Sequence, residues 1–402
     1  MPSNHLAKVH PRIARVTTMK LFLLPILTLF ALPAFADTAP VRARDLGIPF
    51  DGVPGPLNAI TDVAGVTVGH ETIIRDLPDN HAVRTGVTAI LPRGLASMKS
   101  NVYAGWSPLN GNGEMTGTTW VEEGGFLEGP VMITNTHSVG AVHEGVIQWR
   151  VAQGAADDTG YFWSVPVVAE TWDGHLNDIN GFHVRPTHAG AALDRASGGA
   201  VQEGNVGGGT GMTCFDFKCG IGTSSRIVVV DDVSYTLGVL VQANFGRRHD
   251  LRVAGVPVGD QFPGDPIYSQ LETDIKMHSS IIVVVATDAP LLPHQLKRIA
   301  RRVPLAIGVT GDTGHNGSGD IFIAFSTANA EAAQGRPDAI IHSIPNDSMD
   351  ELFAATVHAT EEAIINALIA GRDMTGDHGQ VAKAIDHQKL QTILRQHGRL
   401  VE

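Results

Sequence analysis

Apolar and polar positions change their rhythm along this chain. Up to about residue 95 they fall in short β-branched runs broken by Gly and Pro, such as Val66-Thr67-Val68-Gly69-His70 and Val87-Thr88-Ala89-Ile90-Leu91-Pro92, which predict strands and hairpins. Val131-Met132-Ile133-Thr134 predicts a buried strand. Val139, Val142, Val146 and Trp149 then recur at helical spacing from a cap near Ser138, so this strand should feed a helix across a polar turn. Residues 226–230 and 235–243 are strand-like. Ser280-Ile281-Ile282-Val283-Val284-Val285-Ala286 is almost wholly apolar and β-branched, the signature of a strand buried on both faces. After it the pattern predicts a helix from Pro293 carrying Leu296, Ile299 and Val303, strands at 305–309 and 321–325, and a long helix. That helix should run from a capping box at Ser348-Met349-Asp350-Glu351 to Gly371. Strands flanked by amphipathic helices imply an α/β protein, a layered sandwich whose sheets are covered by helices.

Composition narrows this picture. With 43% hydrophobic residues and no fixed-period repeat, the chain has ample material for one large core. Residues 1–36 read as a secretory signal peptide: Lys8, Arg12, Arg15 and Lys20 with no acid, the run Leu21-Phe22-Leu23-Leu24-Pro25-Ile26-Leu27, and Ala34-Phe35-Ala36. Met19 offers a second start within it. Export to the periplasm follows, and removal of the segment takes the formal charge from −12 to −16. An acidic chain without a basic stripe is a poor partner for nucleic acid or an anionic membrane. Cys214 and Cys219 lie in a segment that alternates like a strand. Five strand steps span about 16 Å, so the two thiols should be unpaired unless a turn intervenes.

Several groups of residues carry possible chemistry. Gly207-Gly208-Gly209-Thr210-Gly211 fits neither a Walker loop nor a dinucleotide fingerprint and reads as close backbone packing or a turn near a site. Ser279 and Ser280 sit at the mouth of the buried strand. If the chain is cut between them, Ser280 gains an α-amine beside its hydroxyl, a nucleophile carrying its own base. In Gly317-Ser318-Gly319-Asp320 the flanking glycines should leave the serine hydroxyl accessible, and Asp320 projects to the same side of an extended segment. Val167-Val168-Ala169-Glu170-Thr171-Trp172 ends an apolar strand in a carboxylate. Such a group seeks a cation, either an internal Arg or Lys or a substrate ammonium. Asn244 interrupts the apolar run before Gly246 and is either an oxyanion donor or a satisfied turn amide. The histidines, His137, His143, His188, His315 and His378 among them, have no recognised ligand spacing, and neither a metal nor a cofactor is expected.

Taken together, the segments are similar to the β-peptidyl aminopeptidases and L-aminopeptidase/D-esterases. The resemblance runs from Ile60-Thr61-Asp62-Val63 through Thr134-Asn135-Thr136-His137-Ser138-Val139-Gly140, Leu176-Asn177-Asp178-Ile179-Asn180-Gly181 and Gly220-Ile221-Gly222-Thr223-Ser224-Ser225-Arg226. It ends at the strand from Ser280 to Ala286 with Thr287-Asp288-Ala289-Pro290-Leu291. It implies an N-terminal-nucleophile-type hydrolase, an αββα sandwich made as a precursor that cuts itself. By this match Ser280 is the nucleophile and the cut separates Ser279 from Ser280. The products are an α chain, 37–279, and a β chain, 280–402, which stay associated and assemble as a tetramer of αβ units. Ser318 and Asp320 match the pair that supports the nucleophile, Asn244 the oxyanion-stabilising amide, and Glu170 the carboxylate that holds the free amine of a short peptide or amide. Trp172 stands where the aminopeptidase/esterase branch has Tyr, which points to β-amino-acid substrates. An α-amino-acid-preferring enzyme of the same family and an exported amine-binding protein without turnover are the alternatives.

Overall fold

The computed structural model describes residues 41–264, 279–334 and 336–401; the segment read as a signal peptide lies outside them. The first half of the chain supplies strands β1 (Thr67–Asp76), β2 (Ala82–Leu95) and β3 (Val102–Gly111), helix α1 (Thr118–Gly124), strands β4 (Phe126–Leu127) and β5 (Val131–Asn135), helix α2 (Val139–Ala152), strand β6 (Val167–Thr171) and helix α3 (Pro186–Asp194). Next come the short β7 (Thr213–Cys214) and β8 (Phe217–Lys218), the long β9 (Ile221–Val230) and β10 (Val233–Asn244), and the short β11 (Arg252–Val253) and β12 (Val256–Pro257). The remainder is β13 (Ser279–Thr287), α4 (Pro293–Ala300), α5 (Val303–Thr310), β14 (Ser318–Ser326), α6 (Asp350–Ile369), β15 (Met374–Thr375), β16 (Val381–Ala382) and α7 (His387–Gln396).

The long strands form two sheets, one in the order β1-β2-β5-β6 and the other β4-β3-β14-β13-β10-β9. Period-two alternation builds the layers. On β13, Ile282, Val284 and Ala286 meet Ile90, Ile133 and Ala169 of the four-stranded sheet, whereas Ile281, Val283 and Val285 pack toward Leu296, Ile307, Leu352 and Ile364 of the helices. On the far face of the four-stranded sheet, Val87, Met132 and Val168 pack against Val142, Val146 and Trp149 of α2 and Ala189 and Leu193 of α3. The result is helices, sheet, sheet, helices, the expected αββα sandwich. The helix α6 is long and apolar enough to cross a membrane by composition, yet its apolar residues are buried in this core.

Three local expectations are corrected. Residues 305–309 form part of helix α5, not a strand. A short apolar run is ambiguous between the two, and Pro304 in the first helical turn, where its missing N–H is harmless, decides for the helix. Helix α6 lacks the anticipated capping box: a 3₁₀ turn, Asn346–Ser348, precedes it, and Ser348 donates to Asp231 instead. Cys214 and Cys219 are disulfide-bonded, with α-carbons 5.4 Å apart. The strand reverses at Phe215 and Asp216, both left-handed at φ 49° and 57°, a two-residue hairpin turn that brings the thiols to the same end. The expectation for Gly207–Gly209 holds. A methyl at Gly208 would sit 2.1 Å from the Gln242 side chain, so only glycine allows that approach.

Candidate active site

Sheet register brings the candidate residues to one end of the six-stranded sheet. In the antiparallel β10–β13 pair Asn244 stands opposite Ser280, and in the parallel β13–β14 pair Ser279, Ser280 and Ile281 stand opposite Ser318, Gly319 and Asp320. Ser279, Ser280, Ser318, Asp320 and Asn244 are all buried. The expected accessibility of Ser318 is thus corrected: its neighbouring glycines admit other backbone, not solvent. A methyl at Gly319 would lie 2.7 Å from both the Asn112 carbonyl and the Gly113 α-carbon.

In the uncut chain the Ser280 hydroxyl donates to the carbonyl oxygen of Ser279 at 2.7 Å. Ser318 Oγ donates to Asp320 Oδ1 at 2.5 Å and lies 3.2 Å from Ser279 Oγ, so it touches the residue before the nucleophile candidate. Burial is the main reason the Asp320 carboxyl is pushed up to about 6. The Ser318 hydroxyl works against that rise, and the nearby Asp312 carboxylate adds to it. Asn244 Oδ1 accepts the Thr213 N–H at 3.0 Å. This bond fixes which end of the amide is oxygen and turns its NH₂ group the other way. Thr213 belongs to the disulfide-closed hairpin, so that hairpin holds the amide in place.

Glu170 closes β6 in the other sheet and is 2% exposed. Its oxygens accept the Glu114 N–H at 3.0 Å and the Thr136 hydroxyl. Burial raises its pKa, opposed by these two hydrogen bonds and by the nearby His137, while the Glu114 carboxylate raises it further. Among the described residues no Lys or Arg forms an ion pair with it. Gly113 bridges the two sheets here: a methyl on it would lie 3.0 Å from the Gly319 α-carbon and 3.1 Å from Glu170 Oε1. The carboxylate is therefore about one residue's width from the strand position opposite Ser280. Trp172, half-buried, lies two residues beyond Glu170 with its ring over Gly174.

The segment linking these groups escaped the sequence reading. Asn110 Nδ2 donates to Asp320 Oδ2 at 3.3 Å, Asn112 donates to the Gly317 carbonyl at 2.8 Å, and Glu114 reaches Glu170. One signal was present: Asn110-Gly111-Asn112-Gly113-Glu114 is a run of turn residues directly after an apolar strand. Of the histidines, His137 flanks Glu170, and His315 pairs with Asp312 at 3.1 Å near Asp320.

A buried hydroxyl at a strand mouth, an oriented amide opposite it and a carboxylate awaiting a cation suit acyl transfer on an amine-bearing substrate. The model of peptidase family S58 matches residues 58–382. The chain belongs to peptidase family S58. Two relatives, the β-peptidyl aminopeptidases BapA of Sphingosinicella microcystinivorans and Sphingosinicella xenopeptidilytica, are 52% and 45% identical. The alignments cover 89% and 92% of this chain and 93% and 96% of those proteins. The solved L-aminopeptidase D-Ala-esterase/amidase of Ochrobactrum anthropi, described as a prototype serine aminopeptidase with a variant Ntn hydrolase fold, superposes with a TM-score of 0.84 at 51% identity. That match covers 90% of this chain and 99% of that one. A β-aminopeptidase from Burkholderia sp. superposes with a TM-score of 0.78 at 44% identity, covering 89% and 99%. This S58 member is a serine-type aminopeptidase with the Ntn hydrolase fold, as the resemblance in its sequence implied.

Proposed function

We propose that this S58 peptidase is an exported β-peptidyl aminopeptidase that cuts itself between Ser279 and Ser280 and uses the freed Ser280 to release N-terminal β-amino acids from short peptides and amides. The observation that carries the reading is Glu170: a buried carboxylate with no Lys or Arg partner among the described residues, about one residue's width from the β14 position that faces Ser280, is a receptor for a substrate ammonium. In the precursor Ser280 Oγ adds to the Ser279 carbonyl carbon, the C–N bond breaks, and the nitrogen takes the hydroxyl proton, leaving an ester. Water hydrolyses that ester to a Ser279 carboxylate and a free Ser280. In the mature enzyme the α-amine, held by Ser318 and Asp320, takes the hydroxyl proton as Ser280 attacks the substrate carbonyl. Asn244 donates to the oxyanion, the amine product leaves, and water releases the acyl group. The basic start and apolar run before Ala36 support export, and N-terminal sequencing of the secreted protein checks it.

Substrate preference is tested by comparing p-nitroanilides of β-homoalanine and L-alanine. A kcat/KM ratio above one for the β-substrate is expected; a ratio well below one assigns the chain to the α-preferring branch, a reading favoured by its likeness to the Ochrobactrum enzyme.

Two further results are expected. Asn244→Ala should lower kcat by about 10²–10³-fold with KM little changed, the loss of one oxyanion donor, measured by steady-state kinetics on processed protein. Self-cleavage should also depend on pH. With its carboxyl at about 6 in the uncut chain, Asp320 is ionised above that pH, and its ionised fraction falls about tenfold per unit below it. Precursor refolded at set pH values should therefore process at a rate that climbs to about pH 6 and then levels off. Asp320→Asn should lack this limb, and a limb that survives the substitution assigns it to another group.

A further inference from the structure

The turn that leads into β2 meets the turn between β15 and β16. His81 Nδ1 lies 3.0 Å from Asp377 Oδ1, and His378 Nε2 lies 3.6 Å from Asp377 Oδ2. The two imidazoles are 4.6 Å apart between ring centroids, and one donor atom from each residue falls within 4.8 Å of the others. The corner is held from several sides. The Ala82 N–H donates to Asp377 Oδ1 at 2.9 Å, and the Asp377 N–H donates to the Leu176 carbonyl at 2.8 Å. His378 takes the left-handed conformation at φ 52°, as do Asp79 at 58° and Asn80 at 62° in the facing turn. A non-glycine residue in that region is uncommon, and here the fold maintains it where the rings converge. The His81 and His378 side chains are 40% and 63% exposed, so an ion reaches them from solvent, while Asp377 is nearly covered.

We propose that His81, Asp377 and His378 form a binding site for a divalent transition-metal ion, zinc being the best match, that clasps the β15–β16 hairpin to the end of the β1–β2 hairpin. Two imidazoles and one carboxylate are the donor set of zinc and its neighbours rather than of calcium or magnesium. A tetrahedral ion with bonds of about 2.1 Å spaces its ligands about 3.4 Å apart, which small side-chain rotations achieve from the observed positions. Water completes the shell. The clasp has mechanical work to do, because among the described residues the apolar cluster at this corner is small, Leu176 with Ala382 and the partly buried Met374. If the chain is cut before Ser280, the ion joins the α chain, which holds His81, to the β chain, which holds Asp377 and His378. That consequence rests on the proposed cut; the site itself does not.

The test uses tag-free full-length protein stripped with a chelator, titrated with ZnCl₂ by calorimetry and with CoCl₂ by visible absorption. One ion per chain is expected, with a Kd of about 10 μM or tighter and a rise in thermal midpoint on zinc addition. His81→Ala and His378→Ala should each weaken binding at least about tenfold while metal-free peptidase activity is unchanged. His81→Gln and His378→Gln provide the same readout with side-chain volume retained. Failure to bind near one equivalent, or binding unaltered in both histidine variants, overturns the proposal.

Discussion

Ser280→Ala is expected to accumulate as one uncut chain and to lose at least about 10⁴-fold of its peptidase activity, the scale seen when a nucleophile is removed from a serine hydrolase. The two losses share one cause. The hydroxyl already donates to the Ser279 carbonyl and is the group proposed to open that bond, so without it neither the ester nor the free α-amine forms. Removing the hydroxyl oxygen while keeping the β-carbon leaves β13 in register, and an unchanged thermal midpoint of the uncut form relative to freshly refolded precursor separates chemistry from misfolding. Denaturing mass spectrometry gives the answer directly: one mass for the variant, two for the parent, the smaller beginning at Ser280. A variant that matures and turns over substrate removes Ser280 from the mechanism. A parent fragment beginning at Ser279 moves the nucleophile one residue earlier, to the hydroxyl that touches Ser318.

Glu170→Gln should process completely yet lose about 100-fold in kcat/KM on substrates with a free amino terminus, the worth of a charge-assisted hydrogen bond in a buried site. The same change should raise the thermal midpoint of the substrate-free protein. Burial disfavours the ionised Glu170, and a neutral amide of equal size relieves that penalty while its oxygen still accepts from Glu114. Opposite signs in catalysis and stability distinguish a substrate receptor from a structural carboxylate, whose loss would lower both. N-acetylated substrates sharpen the test, since parent and variant should treat them alike. Equal kcat/KM for parent and variant on free-amine substrates would leave Glu170 without the proposed role.

What the sequence disclosed followed the periodicities that burial imposes. The strand at 281–286 and the helix through Val142, Val146 and Trp149 were legible because each is locked between layers, where every apolar position has a partner. Residues 305–309 were misread because eight apolar-rich residues on a surface helix look like a strand until Pro304 is weighed. The cysteine pairing was hidden by two left-handed residues of ordinary type, Phe215 and Asp216, where glycine or asparagine would have announced the turn. The site residues were legible one at a time, yet their convergence was not. Pairing register sets Asn244 opposite Ser280, and the segment 110–114, from the end of β3 into the turn after it, links Asp320 to Glu170.

The strand order of the large sheet bears on how such a protein is made. Strand β14 and all of β13 from Ser280 onward follow the proposed cut, and they lie between β3 on one side and β10 on the other, which precede it. A precursor can thread its central strands while everything is tethered, and its refolding rate should not depend on concentration. Once cut and denatured, two separate polypeptides would have to intercalate, an encounter that is second order and leaves the unpaired edges of β3 and β10 open to aggregation meanwhile. The mature enzyme would then persist by slow unfolding and not by reversible equilibrium, having been assembled once, as a single chain.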